Sequence, residues 1–151
     1  MKKGIVAAVL ALSVGTAQAA APARCFSPAE IEAEQAILFQ TELMVVSEAC
    51  RDNIYVSFLQ RNVEAIKAYQ KRMIDHFRRS GEPRAEAAFD SYATRLANQS
   101  ALRNGKMPVA TLCQEAKYLL TAGSGFDGDG FRTYASSKAS TNLAYYRVCR
   151  P

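Results

Sequence analysis

Between Cys25 and Cys50 the chain has no glycine, and its one proline, Pro28, follows a serine directly. Ser27-Pro28-Ala29-Glu30 joins a capping box to a proline at the first helical position, so one helix is predicted over residues 28–49. At 1.5 Å per residue it is about 33 Å long. Cys25 and Cys50 then lie at its opposite ends, whereas a disulfide needs Cα atoms within about 7 Å. A Cys25–Cys50 bond is excluded, and with it a Cys113–Cys149 bond.

That constraint matters because the four cysteines are expected in an oxidising compartment. Lys2 and Lys3 precede an apolar stretch from Ile5 to Val14, and Ala17-Gln18-Ala19 supplies the small residues of a cleavage site. This pattern is a secretory signal peptide over residues 1–19, cut near Ala19. Residues 20–151 are expected to form a single helical domain, periplasmic or secreted, in which cysteines pair as disulfides. The spacing contains no CxxC, and the cysteines are scattered too widely for a zinc site. No later segment reaches the ~18 apolar residues of a membrane span. Lys2 and Lys3 belong to the leader, so 17 of the 19 basic side chains remain against 14 acidic ones. So mild an excess does not support nucleic-acid binding and leaves only a weak preference for anionic polymers.

Further helices follow. Asp52-Asn53 is placed to cap a second, whose Leu59, Val63, Ile66, Met73 and Phe77 form an inward stripe; on the first, Ile31, Leu38 and Val45 do the same, with Ile37 and Met44 beside them. Ser80-Gly81-Glu82-Pro83 divides the second helix from a third, which carries Ala85, Ala88, Phe89, Tyr92 and Leu96 and ends at Asn104-Gly105. Pro108 opens a fourth that Gly123 closes. Beyond it the pattern becomes irregular: Asp127-Gly128-Asp129-Gly130 reads as turn, and a short helix is expected over about 141–148. The prediction is an all-α, antiparallel bundle of four main helices, a less regular C-terminal segment and two disulfides. In that up-and-down path the chain returns to the Cys50 end as the fourth helix begins. Cys50 therefore pairs with Cys113, leaving Cys25 for Cys149.

Few residues suggest chemistry. His76, the only histidine, falls beside Arg78 and Arg79 near a helix C-terminus, where a cation complements the dipole. Lys71, Arg72 and Arg84 extend that basic cluster, while Glu30, Glu32 and Glu34 are read as charges suited to a helix N-terminus. No serine-nucleophile elbow occurs, and no metal or cofactor is implied. Phe131, Tyr134, Tyr145 and Tyr146 are dense in the last part of the chain and interleave with Arg132 and Arg147. Aromatic and arginine side chains dominate binding hot spots, so these six residues are the expected contact surface. The expectation is an exported, non-enzymatic binding or interaction protein of the cell envelope, its partner an envelope protein or an anionic envelope polymer. The alternative is a small envelope hydrolase using paired carboxylates.

Overall fold

The computed structural model describes residues 25–149; the leader and its cleavage site lie outside them. Among the described residues there are six α-helices: α1 Pro28–Cys50, α2 Ile54–Arg79, α3 Ala85–Asn104, α4 Val109–Glu115, α5 Lys117–Gly125 and α6 Gly128–Asn142. A 3-10 turn, Leu143–Tyr145, follows. The molecule is an all-α bundle, and none of these helices is long and apolar enough to cross a membrane.

The start of α1 is built as its sequence requires. Ser27 Oγ accepts from the Glu30 amide at 3.3 Å, and the Ser27 amide donates to Glu30 Oε2 at 2.7 Å. At the other end Arg51 turns into the left-handed region, φ 56°, and its amide donates back to Glu48 and Ser47. The Asp52 carboxylate then accepts from the Ile54 amide at 2.9 Å, which starts α2.

α1 is the central helix and touches each of the other five. It therefore buries more than one stripe: Ile31, Ala33, Ala36, Ile37, Phe39, Leu43 and Val46 are all in the core, while Leu38 faces outward and Val45 and Met44 are half-buried. The single stripe expected for α1 is corrected accordingly; a helix with neighbours on several sides buries residues on more than one face.

The inner face of α2 also differs from the expected one. Val63 is exposed, and Asn62 takes its place in the core alongside Phe58, Ile66, Tyr69, Met73 and Phe77. The Asn62 amide group donates to the carbonyls of Phe58 at 2.9 Å and Phe126 at 3.1 Å. Those bonds offset the burial of a polar group and tie α2 to the turn before α6.

The expected fourth helix is two, divided at Ala116. Gly123 lies inside α5 rather than after it. A Cβ there would meet the Leu43 side chain at 2.6 Å, so glycine is what lets α5 lie directly against α1. Arg61 holds the end of α5 from across the bundle, donating to the carbonyls of Gly123, Ser124 and Phe126 at 2.9–3.2 Å.

The segment beyond Gly123 is more regular than its composition suggests. Asp127 is not turn but N-cap, its Oδ1 accepting from the Gly130 amide at 2.8 Å. From there α6 runs for fifteen residues, burying Phe131, Ala135 and Ala139 at four-residue spacing. The helix expected over 141–148 is replaced by the 3-10 turn and an extended strand-like end. Val148 bridges to Phe26, with the Phe26 amide donating to Arg147 O at 2.8 Å and the Cys149 amide to Phe26 O at 3.0 Å.

Both disulfides have the pairing expected from the length of α1 together with the up-and-down path of the chain. Cys25 is bonded to Cys149 at the start of α1, and Cys50 to Cys113 at its end.

Candidate functional site

Where α1 begins, polar side chains are abundant and almost all are engaged. Arg79 reaches back from the end of α2 to Glu30, with Nη2 2.6 Å from Oε2, and also donates to the Cys25 carbonyl at 3.1 Å. Burial alone pushes the Glu30 carboxyl up. The hydrogen bonds from Arg79 and Ser27, with the Arg79 charge, outweigh it and hold Glu30 below the usual range.

His76 stands against the same pair. It is 2% exposed and stacked on Phe26, ring centroids 4.2 Å apart. Its Nδ1 lies 3.3 Å from Arg79 Nη2 and 3.5 Å from Glu30 Oε1. An arginine can only donate and a carboxylate can only accept, so which of the two Nδ1 engages depends on the tautomer of the ring. Burial first, and the Arg79 charge after it, keep its pKa below the ordinary value, although Glu30 and Glu34 pull the other way. The reading of His76 as a C-terminal cation complementing the dipole is corrected: the ring is buried, and burial disfavours its charged form. Its neighbour Arg78 is the exposed cation, paired with Asp75, which also binds Lys71.

The remaining carboxylates of the first half of α1 are clamped in the same manner. Glu32 accepts from Tyr69 on α2 at 2.8 Å and Glu34 from Tyr92 on α3 at 2.7 Å. Burial, and then the adjoining glutamate, raises the pKa of both phenols well above the ordinary value. Farther along, Glu42 accepts from Ser100 at 2.7 Å and Asn104 at 3.1 Å and pairs with Arg103. These groups look catalytic by type, yet each satisfies a partner on a neighbouring helix.

The six residues expected as a contact surface do not form one. Phe131 is fully buried, with its ring against Phe39, Phe58 and Tyr69. Tyr134 is half-buried and packs on Phe39 and Phe126. Tyr146 is half-buried too, its hydroxyl accepting from Gln35 Nε2 at 2.7 Å, while Gln35 Oε1 in turn accepts from Asn142 at 2.8 Å. Only Tyr145, 85% exposed, with Arg132 and Arg147, remains outside. The density of aromatics arose because α6 and the chain end supply one wall of the core.

The opposite end of α1 is different in kind. Its last turns, with α3 and the start of α4, enclose an open groove of about 580 Å³, a volume within the usual range for binding sites. Met44, Val45 and Ala49 form one wall, and Ala97, Ala101 and Gly105 the other. Met107, Val109 and Leu112 close it. Ala97, Ala101 and Gly105 recur every four residues and so stand on one face of α3; having almost no side chains, they leave the space between the helices unfilled. Asn98 and Asn104 are its uncharged polar groups and Glu48 its single ionised one. No group of metal-ligating side chains occurs among the described residues.

Comparison with protein-family models, with curated proteins and with solved structures finds no match. The site is therefore defined by its own geometry. Sequence reasoning passed over the groove because alanine, glycine and methionine carry no chemical signature. The available signal was the four-residue recurrence of small residues on α3, next to Leu102, which is 73% exposed.

Proposed function

We propose that this is an exported, non-enzymatic protein of the cell envelope that works by docking another polypeptide in the groove between α1, α3 and α4. The groove itself carries the reading: it is apolar, open, and lined by flexible methionines and small residues that suit a protein surface. Export is supported by the leader and by two disulfides, which persist in oxidising compartments. A protein partner suits the groove better than an anionic polymer, since Glu48 is its only charge and Arg78 and Arg79 are taken up by Asp75 and Glu30. The non-enzymatic reading is supported by the carboxylates of α1, whose first four are each engaged by a neighbouring helix.

Affinity capture from envelope extract tests it. Ala101→Arg, which fills the groove, is expected to abolish capture, and Tyr145→Ala to leave it unchanged. The reverse pattern would move the contact surface to the C-terminal end and sink the proposal.

A further inference from the structure

The face that carries the groove also carries a ridge. Leu102 follows Asn98 by one helical turn and precedes Gly105 by three residues, so it stands at the rim beside two lining residues. It is 73% exposed, and Val109, on the closing side, is 57% exposed. A socket lined with small residues and a leucine projecting next to it make one continuous apolar surface, the kind that soluble chains leave open at contact sites.

Charge on this face is unpaired in both senses. Of the five glutamates on α1, Glu30, Glu32, Glu34 and Glu42 are all held from other helices. The side chain of Glu48 has no ion pair or hydrogen bond among the described residues. It lies in the last turn of α1, where the helix dipole disfavours a carboxylate; that turn holds no basic residue, and the C-cap Arg51 makes no ion pair with it among the described residues. Lys106, next in sequence to the lining Gly105, is exposed and likewise makes no ion pair among the described residues. A socket beside a knob, and a free acid beside a free base, are together self-complementary. A two-fold interface requires that property, because the same patch must serve both copies.

We propose that the occupant of the groove is a second copy of this chain, related by a two-fold axis, with Leu102 of each copy seated in the groove of the other and Lys106 facing Glu48 across the interface. The inference rests on the reading of the groove as the contact surface and names what fills it. Burial of Leu102 in a pocket walled by Ala97, Ala101 and Gly105 supplies the apolar contact, and the crossed pairs of Glu48 and Lys106 set the register.

Sedimentation of the purified, disulfide-intact protein from about 1 μM to about 500 μM is the test. Wild type is expected to pass from one copy to two within that range. Leu102→Asp, at an exposed position that leaves the helical circular-dichroism signal unchanged, is expected to weaken association at least ~30-fold. Glu48→Lys and Lys106→Glu should each weaken it about tenfold, and the double variant should recover most of the loss. A monomer at every concentration overturns the proposal, as does a dimer indifferent to Leu102→Asp or a double variant no better than the singles. If the chain is monomeric yet Ala101→Arg still abolishes capture from envelope extract, the groove binds a different protein. If capture too is unaffected, both readings fall.

Discussion

The two ends of α1 are built on opposite principles. At its start, polar and aromatic groups are packed on one another: the Cys25–Cys149 bond, the Phe26–Val148 bridge, the His76 ring on Phe26 and Arg79 on Glu30. At its end, the Cys50–Cys113 bond stands beside a groove walled by alanine, glycine and methionine. The side chains richest in chemistry hold the fold, because a buried carboxylate or imidazole is costly unless it is paired. The plain residues leave space, and space is what a partner can occupy. In this chain Glu30 and His76 stand at the far end of α1 from the candidate contact surface, while the Glu42 cluster with Ser100 and Asn104 borders it.

Disulfides apart, that contrast makes side-chain substitutions costly at the start of α1 and cheap in the groove. The largest effect is expected from replacing Cys25 and Cys149 by serine. The loop-entropy argument puts the loss at about 4–5 kcal/mol as an upper value, read as a lowered urea midpoint. Loss of the Cys50–Cys113 bond gives a similar figure by that argument, so both cystines serve as a scale for the other substitutions.

Arg79→Ala comes next. It leaves Glu30, only 7% exposed, without its cation and frees the Cys25 carbonyl. A loss of about 2–3 kcal/mol is expected, and one below about 0.5 kcal/mol would show that the ion pair is not what holds this end. Tyr146→Phe removes the hydroxyl that accepts from Gln35 and should cost about 1 kcal/mol. The adjacent Tyr145→Ala should stay within about 0.5 kcal/mol. Smallest of all are the groove substitutions: Leu102→Asp is expected to leave the urea midpoint of the monomer within about 0.5 kcal/mol of wild type. If it cost as much as Arg79→Ala, the groove would be part of the core and the contrast would collapse.

Acid should act on the first end. The folded pKa of His76 is held below its ordinary value of 6.5, and that of Glu30 below 4.5. For His76 the unfolded chain takes up the proton more readily, so stability is fully present above about pH 6.5 and declines as pH falls through that value. For Glu30 the contribution is present above about pH 4.5 and is lost as pH falls through its lower folded pKa. Urea midpoints measured at descending pH should therefore fall in two stages, and His76→Gln should remove the first. A histidine titration by NMR that places His76 above 6.5 would reverse the sign and break this account.

How much could be read from the residues depends on the range of the interactions involved. The start of α1, its uninterrupted length and the capping of α2 by Asp52 depend on neighbours within a few positions, and a single chain states them directly. They also excluded a Cys25–Cys50 bond, because helix length is a distance, and the antiparallel path of the later helices chose between the two pairings left. Other features depended on which helix sits in the middle. Once α1 is surrounded, Leu38 turns outward and Asn62 goes into the core in place of Val63. A helix assembles from Gly128–Asn142 because Phe131 has a core to enter, although its glycines and serines favour coil. His76 becomes a buried ring because Phe26 stacks on it, next to a Cys25–Cys149 bond that joins residues 124 positions apart. The groove is the extreme case: it consists of what small residues on α3 fail to fill opposite α1, and a void between two helices exists only after tertiary packing has set them side by side.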